Sequence, residues 1–267
     1  MRSGMCKTVY RRTGRAVAAG VWLALAGSLP SARAETGAAD AAAVDALALL
    51  QAADRARGDP GGIVWEVNVV SRDGGSENAL GFTVSARGFD LLAVYTAPPR
   101  QKDARLLMVK RNMWFSRPGL SKPVPISPRQ RLLGDAAYGD IAGTDYAGEY
   151  DATLAGEEQA DGEACHVFDL KAKSGRATYD RIRYWVSKER RLGVQAHYFT
   201  VSGKLLKTAK MEYANTVAGP DGAPRPFISR LTIRDALLGD RETEIAFGAP
   251  TVKPLPDSLF DLNLMTR

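Results

Sequence analysis

Cysteine and histidine are nearly missing from this sequence: Cys6, Cys165, His166 and His197 are all that 267 residues contain. So few cysteines exclude a disulfide scaffold, and core packing has to supply the stability. Cys165 reads as a small buried hydrophobe, and the two histidines stand inside predicted strands, where a structural role fits them. Neither histidine has the neighbours that HExxH or CxxC metal spacing requires. The chain also has no G-x-S-x-G elbow, S-x-x-K, Walker loop or G-x-G-x-x-G, which removes the common nucleophilic and nucleotide-dependent chemistries. No metal and no cofactor is expected. Long apolar runs are absent too: the uncharged, mostly apolar run Ala16 to Leu29 has 14 residues, short of the roughly 20 needed to span a bilayer.

Net charge is the next absence, once its source is located. Residues 1–34 hold six of the 36 Lys and Arg residues and no Asp or Glu, so residues 35–267 balance 30 basic against 30 acidic side chains. Arg2, Lys7, Arg11, Arg12 and Arg15 precede the apolar run, and Ala32-Arg33-Ala34 follows it as an A-x-A signal. This is the layout of a cleaved signal peptide, 1–34, with cleavage between Ala34 and Glu35. Ordinary secretion fits better than twin-arginine export. Cys6 lies ahead of the apolar run, so lipid modification at the cleavage point is not expected. The neutral remainder argues against a nucleic-acid partner.

What is present is alternation. Ala38 to Arg57 reads as one helix, with Val44, Leu47 and Leu50 recurring on a face, stopped by Gly58-Asp59-Pro60-Gly61-Gly62. Period two then takes over. Ile63, Trp65, Val67 and Val69 alternate with other residues, as do Leu80, Phe82, Val84 and Ala86 after the Asp73-Gly74-Gly75 turn. Further strands are predicted at 90–97, 105–110, 113–116, 163–172, 178–187, 193–200, 204–213, 227–235 and 242–247. Ser127-Pro128-Arg129-Gln130 has the makings of a capped helix start, and 127–150 is read as short helices and loop. About ten strands with tight turns and few helices predict one mainly β domain, 35–267: a large curved antiparallel sheet with helices on its concave side.

Two polar clusters stand out. Glu157, Glu158 and Asp161 resemble the paired acids of a glycosidase but read as a solvated hairpin tip. Arg105, Lys110 and Arg111 beside Trp114 and Phe115 form a locally basic rim able to meet an anionic head group. The remaining signal is apolar. Trp65, Val67, Phe82, Val84, Tyr95, Met108, Trp114, Phe168, Tyr184 and Tyr198, chosen by strand face and size, are the candidate lining of a cavity. Such a cavity could shelter an acyl chain, where each buried CH₂ contributes ~0.8 kcal/mol and a long chain ~10 kcal/mol before ordering costs.

Three stretches carry a family resemblance: KRNMWFSRPGLSKPVPISPRQRLLG (110–134), KAKSGRATYDRIRYWVSKERRLGVQAHYFTVSGKLLKTAKMEY (171–213) and PLPDSLFDLNLM (254–265). They resemble the bacterial outer-membrane lipoprotein-sorting family, in its LolA-like branch. The resemblance implies an incomplete antiparallel β-barrel closed by helices around a hydrophobic cavity. It also implies a soluble, monomeric periplasmic carrier for lipoprotein or lipid acyl chains, moving between an inner-membrane transporter and an outer-membrane acceptor. It brings no catalytic residues, and the insert SRPGLSKPVPISPRQRL departs from the carrier pattern. Two other readings compete: a transporter adaptor without lipid cargo, docking through the Pro-rich segment 118–126, and a secreted hydrolase.

Overall fold

A computed structural model describes residues 44–58, 61–142, 144–219, 222–237, 239 and 241–265. The expected signal peptide, its Ala34/Glu35 cleavage point and the start of the predicted first helix lie outside them. Helix α1 (Ala46–Arg55) is capped by the Asp45 carboxylate, which accepts from the Ala48 amide at 2.9 Å. Six strands follow: β1 (Ile63–Asp73), β2 (Ser76–Arg87), β3 (Asp90–Ala97), β4 (Arg105–Val109), β5 (Asn112–Ser116) and β6 (Val124–Ile126). A small hairpin, β7 (Arg131–Leu133) with β8 (Ala136–Ala137), and the one-turn helix α2 (Tyr146–Glu149) come next. Then run β9 (Tyr150–Ala160), β10 (Glu163–Ala172), β11 (Arg181–Ser187), β12 (Gly193–Phe199) and β13 (Leu205–Glu212). A second small hairpin, β14 (Asn215–Ala218) with β15 (Pro224–Phe227), precedes β16 (Arg230–Asp235), β17 (Glu242–Phe247) and β18 (Thr251–Val252).

Fourteen strands form one sheet in the order β6-β5-β4-β3-β2-β1-β17-β16-β13-β12-β11-β10-β9, with β18 beside β1. Every pairing is antiparallel, as tight turns between successive strands require. The β1–β17 contact, in register from Val67 opposite Phe247 to Arg72 opposite Glu242, joins the two meanders into one surface. The sheet is curved and does not close into a barrel.

Period two places one apolar set inward along nearly every strand. Ile63, Trp65, Val67 and Val69 of β1 are all at most 3% exposed, and they meet Leu80, Phe82, Val84 and Ala86 of β2 on the same side. The inner surface continues through Leu231, Ile233, Ile245, Ala196, Tyr198, Ile182, Tyr184 and Phe168, and Leu50 and Ala53 of α1 pack on it. The outer face is also partly covered. The C-terminal segment lays Leu255, Phe260 and Met265 over Leu107, and Cys165 packs with Val167, Trp185 and Val194.

Several expectations need correction. The predicted cap at 127–130 forms: the Ser127 amide donates to Gln130 Oε1 at 3.1 Å and the Arg129 amide to Ser127 Oγ at 3.3 Å. No helix follows it, because Leu132 and Leu133 turn inward on β7 and Gly134, at φ +53°, reverses the chain. Glu157 and Glu158 lie on the edge strand β9, and only Asp161 sits at the turn. Val194, expected inward with Ala196 and Tyr198, faces outward because a bulge shifts the β11–β12 register between Trp185 and Val186. Pro224 and Pro226 lie within β15, in a two-stranded ribbon that tolerates missing donors.

Candidate functional site

The inner core and the helices meet along a seam, and the seam opens at one end. Leu50 and Ala53 point α1 into the core, while Leu47, Gln51, Asp54 and Arg55 face outward along a cleft of about 430 Å³. Its other walls are Gly88 and Phe89, in the β2–β3 turn, and Thr144, Asp145, Ala147 and Gly148 at α2. Leu47 is 55% exposed and Phe89 43%, so two large apolar side chains stand in solvent across one opening. Leu47 had been expected on the packed face with Leu50.

Four contacts hold α2 as the wall of this cleft. A one-turn helix has too few internal bonds to persist alone. Asp145 caps it by accepting the Gly148 amide at 3.0 Å, and Asp54 of α1 accepts the Ala147 amide at 3.0 Å. Lys173 Nζ donates to the Gly148 carbonyl at 3.1 Å. Arg111, in the β4–β5 turn, pairs with both Asp145 and Glu149 and lies over the Phe89 ring at 4.5 Å. Burial pushes the Glu149 carboxyl up from its ordinary value although Arg111 pulls it down.

Behind α2 the core is polar at one point. Arg57, only 3% exposed, sits at the end of α1, and its Nη1 has no hydrogen-bond partner among the described residues. Burial opposes its charge. Its value nonetheless lies above the ordinary one, with Tyr146, Tyr198, Tyr213 and Tyr184 the groups set against the burial. Burial pushes all four phenols above their ordinary value, so they remain neutral hydroxyls. Tyr146 packs edge-on against Tyr184 at 5.0 Å, linking α2 to the sheet.

Nine of the ten residues selected as cavity lining share one surface. Trp65, Val67, Phe82, Val84, Tyr95, Phe168, Tyr184 and Tyr198 are buried in the inner core, and Met108 packs partly buried against it. Trp114 does not join them. It stands opposite Leu107 across β4–β5, so period two turns both to the outer face, under the C-terminal segment. Phe115, one residue on, is the inward aromatic of that strand. Missed by the sequence reading were Leu47, Asp54, Arg57, Phe89 and α2. An aromatic in the hairpin turn Gly88-Phe89 was the one available signal for the cleft.

His166 lies near Glu157 on the sheet surface, His197 contacts Gln195 Nε2 at 3.0 Å, and Cys165 is buried with its thiol pushed up by burial. Among the described residues no group of three or more His, Cys, Asp or Glu is placed to hold a metal ion. Among them, too, no helix is long and apolar enough to cross a membrane.

Known structures place this architecture. A LolA superfamily protein from Nitrosomonas europaea is 28% identical, with a TM-score of 0.73 over 82% of this chain and 98% of its own. A structure described as an outer membrane lipoprotein-sorting protein domain from Vibrio parahaemolyticus shares the fold at 15% identity, with a TM-score of 0.70 over 83% of this chain and 98% of its own. A DUF1329 family protein from Desulfovibrio piger does so at 20% identity, with a TM-score of 0.68 over 82% and 97%. No curated protein sequence gives a significant match. A family model described as "-like: Uncharacterized protein" matches residues 90–267. The chain therefore belongs to that family and has the fold of the LolA superfamily.

Proposed function

We propose that this chain is a periplasmic, non-enzymatic carrier that takes the acyl chains of lipoproteins or lipids between its helices and the inner face of its sheet. One observation carries the reading: a continuous apolar face spanning both meanders is covered at its edge by α2, a single turn that puts Tyr146 and Ala147 into the core and is otherwise held by ion pairs and caps. A wall fastened by polar contacts can swing away at modest cost, whereas a wall fastened by a large apolar surface cannot. The fold supports the same reading, since two of the three similar structures above are named for the LolA superfamily and for lipoprotein sorting. On this reading the protein is monomeric, accepts cargo from an inner-membrane transporter and passes it to an outer-membrane acceptor.

Native mass spectrometry of protein from its own host, with titration of a fluorescent fatty-acyl probe, tests the proposal. A co-purified apolar mass and saturable probe binding are expected. The bare polypeptide mass together with no probe binding would overturn it.

A further inference from the structure

We propose that the recess next to the cleft is a head-group site, and that the cargo is an anionic amphiphile. This rests on the carrier reading above and names its substrate class. The recess, about 540 Å³, is lined by Arg87, Asp90, Lys110, Arg111 and Arg176 around Phe89. Two of its cations are already engaged: Arg87 by Asp257 at 2.8 Å and the Leu255 carbonyl at 2.9 Å, Arg111 by Asp145 and Glu149. Asp90 accepts from the Lys110 amide at 3.2 Å. The side chains of Lys110 and Arg176 make no ion pair or hydrogen bond among the described residues, and both are exposed. Two loops distant in sequence thus bring two unspent cations to one recess, in a region 35–267 whose charges, these two included, balance at 30 and 30.

The turn that presents Lys110 is independent support. Lys110 and Arg111 are the two central residues between the paired Val109 and Asn112, and both are left-handed, at φ 47° and 67°. Asn-Gly adopts that turn without penalty, whereas Lys-Arg pays in backbone energy. Arg111 spends its share of that cost on holding Asp145 and Glu149, whereas the Lys110 side chain makes no contact that repays its own, which marks Lys110 as serving something other than the fold. Phe89 decides between a free anion and an amphiphile. It lines both the recess and the apolar cleft with Leu47, so an anionic group on Lys110 and Arg176 places its chain directly at the seam.

The test uses the full chain and short-chain lipids below their micellar concentration: dihexanoyl phosphatidylglycerol, dihexanoyl phosphatidylcholine and chain-free glycerol 3-phosphate, each titrated by calorimetry. At low salt the phosphatidylglycerol is expected to bind about 10-fold tighter than the phosphatidylcholine, roughly what two exposed charge contacts supply. Lys110→Ala with Arg176→Ala should bring that preference below twofold and leave phosphatidylcholine binding in place. Lys110→Asn should cut the preference while holding or raising Tm, because it relaxes the turn; a lowered Tm would mean that Lys110 serves the fold. Equal binding of the two lipids, or a preference that survives the double variant, overturns the head-group site and leaves the carrier reading standing. Glycerol 3-phosphate binding as tightly as phosphatidylglycerol would make the recess a site for soluble anions and overturn the proposal. Binding of neither lipid overturns the carrier reading and this inference together.

Discussion

Asp54 joins the two helices of the seam through a single carboxylate, and its ionisation works against the fold. Its Oδ2 accepts the Ala147 amide, while Oδ1 is buried without a hydrogen-bond partner among the described residues. Burial pushes its carboxyl above the ordinary 3.8, although the Ala147 and Tyr146 amides pull it down. An acid with a raised folded value carries no penalty while both states are protonated. The penalty appears as pH rises through the unfolded value and is complete above the folded one. Asp54→Asn keeps an acceptor for Ala147, so it should raise the melting temperature at pH 7, with the difference vanishing below about pH 3.8. A lower melting temperature at pH 7 would show that the charge itself holds α2. Gly193 offers a second residue-scale test, because a Cβ there would stand 1.7 Å from the Tyr184 hydroxyl oxygen. Tyr184 is fully buried and cannot retreat freely. Gly193→Ala should cost about 1–3 kcal/mol, or roughly 2–4 °C of melting temperature per kcal/mol in a domain of this size. Adding Tyr184→Phe removes the nearest clashing atom, though the ring carbons at 2.3 and 2.7 Å remain, and should return part of the loss. Residues of this kind were the least legible from sequence. Trp65 and Phe82 followed from alternation alone, but Val194 was turned outward by a bulge and Leu47 by the position of the seam, neither of which leaves a mark in periodicity.

At the scale of elements, the central strands were readable and the edges were not. β2, β3 and β17 alternate buried with less buried positions, so their pattern declares them. Strand β9 has one neighbour, and its run of exposed Glu157, Glu158 and Gln159 shows no alternation; such charges discourage edge-to-edge pairing, which hides the strand from a pattern search. Helix α2 was unreadable for a different reason: its existence depends on Asp54, Arg111 and Lys173, which approach it from distant parts of the chain. That dependence makes a prediction. In Arg111→Ala, Asp145 and Glu149 lose a shared, largely buried partner, a loss of about 1.5–3 kcal/mol concentrated on α2. Hydrogen exchange should quicken at residues 144–149 while β1, β2 and β17 keep their protection. Uniform acceleration through the sheet would mean that the pair supports the whole fold and not a local wall.

For the molecule as a whole, the candidate lining poses a mechanical question. Trp65, Val67, Phe82, Val84, Tyr95, Phe168, Tyr184 and Tyr198 are each at most 4% exposed, so none can touch a ligand until something covering them moves. A closed interior lowers apparent affinity by the fraction of molecules that are open, and a variant that opens more readily gains it back. One such cover is the α1–α2 seam, where Leu47 and Phe89 both line the cleft. Joining these two positions therefore tests the route of entrance. With Cys6 and Cys165 replaced by Ser, Leu47→Cys and Phe89→Cys can be bridged by a short bis-maleimide. The bridged protein should melt at a higher temperature and lose at least tenfold in acyl-probe binding, while the unbridged pair capped with a small maleimide should bind as before. If the bridged form takes up probe unchanged, the chain enters elsewhere, and the open edge between β6 and β9, at the two ends of the sheet, becomes the next place to block.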